Sequence, residues 1–132
     1  VEDSPFDFQV PKAIGSQIEE DHIQLKNGMG YDHNFVIKKE PDELGLMARV
    51  YDPVTGRVME THSTEPGVQF YSGNFLNGDI IGKYDVQYNH RSGFCLETQH
   101  FPDSPNKSHF PSVILKPEDQ FNSTTIYKFS IK

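Results

Sequence analysis

The alternation of apolar and polar residues along this chain is typical of short β-strands. The clearest example is a strand predicted at residues 46–51, a turn with the sequence Asp-Pro-Val-Thr-Gly at residues 52–56, and a return strand at residues 57–63. Aspartate, proline and glycine favour a tight turn, so these segments together predict a β-hairpin. Further alternating runs predict three more strands, at residues 67–71, 94–98 and 124–131.

The remaining segments predict loops and short apolar runs. Residues 26–30 are rich in glycine, which predicts a loop that places Asp32 where the loop meets a short strand. Residues 113–115, with the sequence Val-Ile-Leu, are predicted to form a short buried run. No segment has the apolar period of a long helix. The sequence therefore predicts an all-β fold, an antiparallel β-sandwich or barrel of short strands.

The composition limits the classes of partner. A length of 132 residues suits one domain, and a formal charge of −7 with scattered basic residues gives no reason to expect a nucleic-acid partner. No apolar run approaches the roughly 20 residues of a membrane helix, so we expect a soluble protein with no membrane partner. The single cysteine, Cys95, is predicted to be a small buried residue, and it fits a reducing, cytoplasmic location.

Glu97 is the carboxylate best placed for chemistry. Because side chains alternate along a strand, Glu97 shares one strand face with Cys95 and Gln99. The opposite face is predicted to pack against a core, and it carries Phe94, Leu96 and Thr98. A carboxylate held on a strand is oriented by the backbone, as a general base should be. An ordinary charged residue on a solvated strand face is the alternative interpretation.

Four segments resemble a known family. The sequences LETQHFPDSPN at residues 96–106 and FPSVILKP at residues 110–117 resemble the C-terminal signature of the aldose 1-epimerases, the galactose mutarotases. The sequences GYDHNF at residues 30–35 and TEPGVQFYSGNFL at residues 64–76 resemble two earlier motifs of that family, in the same order and at similar spacing. The resemblance covers nearly the whole chain.

The resemblance implies a galactose mutarotase-like supersandwich, in which residues 1–132 are the C-terminal segment of a single β-sandwich domain. It also implies that the N-terminal part of that domain lies outside this chain. Such a segment leaves strand edges and an apolar sheet face uncovered, which favours pairing with another chain. We therefore expect the N-terminal segment of the same protein as a partner.

The same resemblance implies an isomerase that interconverts the α and β anomers of free monosaccharides such as galactose and glucose, with no metal or cofactor. By motif position, Glu97 corresponds to the family's base, Asp32 to its substrate-binding aspartate and Gln69 to its sugar-contacting glutamine. The family's acid is a histidine from its N-terminal half, and this sequence has no counterpart of it. His33 and His100 lie inside the motifs at other positions, so we predict supporting or structural roles for both.

Other functions stay open on the sequence. A non-catalytic carbohydrate-binding protein would share the fold without the reaction, and a glycosidase would use Asp32 and Glu97 as paired carboxylates. A hexose-phosphate epimerase would need a cluster of basic residues to bind the phosphate. The three arginines of this chain are dispersed, at positions 49, 57 and 91. A purely structural all-β domain would leave the family motifs unexplained.

Overall fold

The computed structural model describes all 132 residues, Val1 to Lys132. Its regular structure is mostly strands, with one short α-helix and three single-turn 3-10 helices. The α-helix and strands have these bounds: α1 Ile23–Gly28, β1 Asp32–Val36, β2 Gly45–Tyr51, β3 Arg57–Ser63, β4 Gly67–Tyr71, β5 Cys95–Gln99 and β6 Thr125–Ile131. One sheet has the strand order β1-β4-β5 and the other has the order β2-β3-β6. The predicted all-β antiparallel fold is confirmed.

The predicted hairpin is present as β2 and β3, which pair antiparallel. The third strand of this sheet, β6, pairs antiparallel with β3 along its whole length, from Arg57 opposite Ile131 to Ser63 opposite Thr125. Because residues opposite each other in such a pair project from the same face, the register fixes which side chains share a face.

The turn of the hairpin is held by the carboxylate of Asp52. It accepts hydrogen bonds from the hydroxyl of Thr55 and, at 3.0 Å, from the backbone N–H of Val54. Because both bonds favour the charged carboxylate, they lower the pKa of Asp52. Gly56 closes the turn with a φ of +74°, a conformation that suits glycine. The turn chemistry thus agrees with the sequence prediction.

One face of the β2-β3-β6 sheet is charged. The carboxylate of Glu60 lies 3.5 Å from a nitrogen of Arg49 and 3.5 Å from that of Lys128. A ring nitrogen of His62 lies 3.7 Å from the same carboxylate. Partly exposed ion pairs of this kind contribute little to stability, so this face is best described as a solvated surface.

The opposite face of this sheet is buried at one end and exposed at the other. Thr61 and Ser63 have no exposed surface. On β6, large apolar residues of the same face remain exposed, with fractions of 45% for Tyr127, 72% for Phe129 and 82% for Ile131. A row of exposed apolar side chains on an edge strand is a surface that favours a covering partner.

The chain divides into two compact units, each assembled from two segments. The first unit contains residues 1–33 and 70–95, and the second contains residues 34–69 and 96–132. Three strands, β1, β4 and β5, run across the division, so each of them contributes residues to both units.

An aromatic cluster forms the core of the first unit. Tyr31, which is fully buried, stacks on Phe70 with ring centres 5.3 Å apart. Phe6 and Phe8 contact the ring of Tyr31 edge to face, at 5.6 Å and 5.2 Å. The hydroxyl of Tyr31 donates to the carbonyl of Pro5 at 2.9 Å. These contacts tie the beginning of the chain to the residue that precedes β1.

Two expectations about local structure were wrong. The glycine-rich residues 26–30 were expected to form a loop, but α1 extends to Gly28 and ends where Met29 adopts a left-handed φ of 52°. A helix of six residues is too short for its apolar period to show in the sequence. The run at residues 113–115 is exposed at 42%, 68% and 58%, and it forms no strand. Prolines flank it at positions 111 and 117, and proline cannot donate to a strand ladder.

None of the helices has the length and apolar character that crossing a membrane requires.

Candidate functional site

Asp32 is the first residue of β1 and belongs to the first unit. It was predicted to lie where a loop meets a strand, and it follows the turn between α1 and β1. It is half-buried. A tight turn leads from α1 into β1, with Met29 at a φ of 52° and Gly30 at a φ of +130°. A Cβ on Gly30 would lie 2.4 Å from the side-chain oxygen of Asn74. Glycine is therefore required at position 30 for the chain to reach Asp32 by this route.

His33 follows Asp32 and packs against the aromatic core. Its ring centre lies 4.7 Å from that of Phe6, and its Nδ1 accepts the backbone N–H of Asp32 at 3.0 Å. Burial of the ring lowers the pKa of His33, and nearby His22 lowers it further, whereas Asp32 and the backbone of Gln24 oppose the change. The neutral imidazole is thus the favoured form.

We expect the free energy of unfolding to fall as the pH drops below 6.5, the ordinary pKa of histidine. The unfolded chain gains a proton at His33 before the folded chain does. The stabilising effect is therefore complete above pH 6.5 and is lost between 6.5 and the lower pKa of the folded state. Denaturant titrations on both sides of this pH should show a smaller fall for His33→Gln than for the wild type. Equal falls would contradict the prediction.

In the second unit, β1, β4 and β5 bring three amide side chains together. Nε2 of Gln99 donates to Oδ1 of Asn34 at 3.2 Å and to Oε1 of Gln69 at 3.4 Å. Gln69 and Gln99 therefore project from the same side of the two strands. Because Glu97 lies two residues before Gln99 on β5, its carboxylate projects from that side as well. Glu97 is exposed, whereas Gln69 is half-buried.

The other face of β5 is fixed to β6. The hydroxyls of Thr98 and Thr125 lie 2.6 Å apart, and the hydroxyl of Tyr127 donates to the backbone carbonyl of Leu96 at 2.8 Å. Leu96 and Thr98 are half-buried, and Phe94, just before the strand, is 38% exposed. The strand that carries Glu97 is thus held by hydrogen bonds from both of its faces.

A buried carboxylate that the sequence analysis did not single out lies just before β4. Glu65 is 8% exposed, and its oxygens lie 2.6 Å from Nδ1 of His100 and 2.6 Å from the hydroxyl of Ser123, which donates to it. The backbone N–H of Glu65 donates to the hydroxyl of Ser63 at 3.0 Å. A buried carboxylate needs such partners, and these link the residues beside β3, β5 and β6.

The prediction that Cys95 is buried was wrong, because its side chain is exposed. Cys95 begins β5 on the same face as the exposed Glu97, and alternation along the strand gives both residues the same environment. No group of three or more His, Cys, Asp or Glu side chains has an arrangement that could hold a metal ion.

The chain was compared with known proteins. A family profile described as "Aldose 1-epimerase" matches residues 1–128. Galactose mutarotase from Bos taurus is 44% identical over 131 residues, which cover 99% of this chain and 36% of that protein. Aldose 1-epimerase from Escherichia coli K12 is 35% identical over 126 residues, which cover 94% of this chain and 36% of that protein. The chain therefore spans 36% of the length of these relatives.

A solved structure shares the fold. An aldose epimerase homologue from C. elegans superposes with a TM-score of 0.76 at 24% sequence identity. The superposition covers 98% of this chain and 38% of that one.

Proposed function

Because this chain belongs to the aldose 1-epimerase family, we propose that the protein that carries it interconverts the α and β anomers of free aldoses such as galactose and glucose. The observation that carries the proposal is the placement of Glu97, exposed on β5 and on the same side as Gln69. An exposed carboxylate can reach a substrate, and a strand held on both faces keeps it in place.

In the proposed reaction Glu97 is the base. Its carboxylate removes the proton of the C1 hydroxyl while an acid protonates the ring oxygen, and the bond between C1 and the ring oxygen breaks. The open-chain aldehyde then rotates about the C1–C2 bond, and the same two proton transfers run in reverse to close the ring as the other anomer. The protons balance, because on ring closure Glu97 gives its proton back to the oxygen on C1 and the acid recovers its proton from the ring oxygen.

Asp32 and Gln69 are the proposed substrate-binding residues. A carboxylate accepts hydrogen bonds from sugar hydroxyls, and an amide both donates and accepts. The support for these roles is the match of both residues to the family motifs at residues 30–35 and 64–76.

We assign the acid to a histidine in an N-terminal segment outside residues 1–132, and we assign the same segment as the partner of this chain. The histidine acid rests on the family resemblance alone, whereas two observations support the partner segment. The chain spans 36% of the length of its relatives, and the row of apolar residues on β6 is exposed. A covering segment would remove those apolar side chains from water. The cytoplasmic location inferred from the single cysteine stays a prediction.

A non-catalytic carbohydrate-binding protein is the second candidate, since nothing in this chain matches the histidine acid of the family. The two candidates differ in one measurable property. A binding protein takes up the sugar without changing the rate at which its anomers interconvert, whereas an epimerase accelerates that rate.

We expect the protein that includes the proposed N-terminal segment, here called the upstream segment, to accelerate the mutarotation of freshly dissolved α-D-galactose. The rate is measured by polarimetry against buffer. Residues 1–132 alone should give no acceleration, because they lack the proposed acid. Sugar binding without acceleration by the longer protein would favour the binding candidate. Release of the aryl group from an aryl galactoside would instead indicate a glycosidase.

A further inference from the structure

A buried cluster of polar side chains surrounds the turn that leads to Asp32. Its members, Ser72 and Asn74, follow β4 and are 3% and 6% exposed. The side-chain nitrogen of Asn74 donates to the carbonyl of Gly28 and to that of Tyr31, both at 2.9 Å. These two carbonyls lie on either side of Met29 and Gly30, so one amide group spans the turn.

Ser72 completes the cluster. Its hydroxyl accepts the backbone N–H of Tyr31 at 3.1 Å and donates to the side-chain oxygen of Asn74 at 2.7 Å. The backbone N–H of Ser72 also donates to the carbonyl of Tyr31 at 3.0 Å. Tyr31 directly precedes Asp32, so both of its backbone polar groups are fixed by Ser72 and Asn74.

The turn is also held by backbone hydrogen bonds, because the N–H of Gly30 donates to the carbonyl of Leu25 at 2.9 Å and the N–H of Met29 donates to the carbonyl of Lys26 at 3.3 Å. Arg91 donates from Nη2 to the carbonyl of Met29 at 3.1 Å, but this contact is exposed to water. Met29 has a positive φ of 52°, which a residue with a side chain adopts only at a cost, whereas the positive φ of Gly30 is one that glycine adopts freely. Removal of the Asn74 amide takes the side-chain donor from the partly buried carbonyl of Gly28, whereas the carbonyl of Tyr31 keeps the backbone N–H of Ser72. The lost hydrogen bond should let the turn relax toward other conformations.

We propose that Ser72 and Asn74 are positioning residues for sugar binding, because they fix the turn that directs the Asp32 carboxylate. The inference rests on the proposed substrate-binding role of Asp32. Neither residue is proposed to touch the sugar. Both set where Asp32 points and leave the base, Glu97, unchanged.

Loss of Ser72 or Asn74 should change KM without changing kcat. In the protein that includes the upstream segment, Asn74→Ala and Ser72→Ala should raise the KM for galactose by about tenfold and leave kcat within about twofold. The matched control is Ser104→Ala, which also removes the hydroxyl of a buried serine, one that donates to the carbonyl of Phe101 at 2.6 Å. That variant should lose similar stability with KM unchanged.

A double variant distinguishes the inference from the proposed function. Asp32→Ala should raise KM by itself, and Asn74→Ala added to it should raise KM no further, because both changes remove the same interaction. An unchanged KM in Asn74→Ala, beside a raised KM in Asp32→Ala, would overturn the positioning role alone. An unchanged KM in Asp32→Ala would overturn the binding role of Asp32 and the inference together. If Asn74→Ala fails to fold, the milder Ser72→Ala gives the same readout.

Discussion

Glu97→Gln is expected to reduce kcat for mutarotation by about 10²- to 10⁴-fold. The amide has nearly the shape of the carboxylate but cannot take the proton of the C1 hydroxyl, so the first step of ring opening loses its base. Because the side chain of Glu97 is exposed, we expect its removal to leave the fold intact. Polarimetry of galactose with the protein that includes the upstream segment measures the effect.

Glu118→Gln is the control for this change. Glu118 is also an exposed glutamate, and it lies outside the proposed site. The control should keep wild-type kcat and KM, since it removes one negative charge without removing the base. Retention of wild-type kcat by Glu97→Gln would contradict the role of Glu97 and would move the base to another residue.

Tyr31→Ala is expected to lower the free energy of unfolding by about 3–5 kcal/mol. The ring of Tyr31 is fully buried, and its removal leaves a cavity between Phe6, Phe8 and Phe70. Since domains of ordinary size are stable by only about 5–15 kcal/mol, a loss of this size should be clear in a denaturant titration.

Tyr31→Phe measures the contribution of the hydroxyl to stability apart from that of the ring. It keeps the aromatic contacts and removes only the hydrogen bond to the carbonyl of Pro5, so we expect a loss of about 1 kcal/mol. Equal losses in the two variants would show that the hydroxyl, rather than ring packing, holds the beginning of the chain. A loss near zero in Tyr31→Ala would contradict its place in the core.

Several features of the fold were predicted correctly because they depend on residues that are close together in the sequence. The hairpin of β2 and β3 follows from alternation and from the turn residues at 52–56, and β4 lies at the predicted Gly67–Tyr71. Asp32 was predicted to lie where a loop meets a short strand, and it is the first residue of β1. Both alternation and turn chemistry act over a few residues, so a sequence displays them directly.

Two of the three errors concern burial, which depends on the surroundings. Cys95 and residues 113–115 are of residue types that are often buried, yet all of them are exposed. An apolar residue is buried only where another element covers it, and hydrophobic patterning does not show which strand faces a neighbour and which forms an edge.

By itself, the sequence predicted most of the strands and their two-sided character. Its resemblance to the family indicated the three residues proposed for the site, Glu97, Asp32 and Gln69. Only the tertiary structure decided which side chains support them. Asn74 bonds to a carbonyl 46 positions before it, and Glu65 pairs with His100, 35 positions after it. Strand periodicity does not predict contacts between residues so far apart in the sequence, because the pairing of distant segments is set by how the whole chain packs.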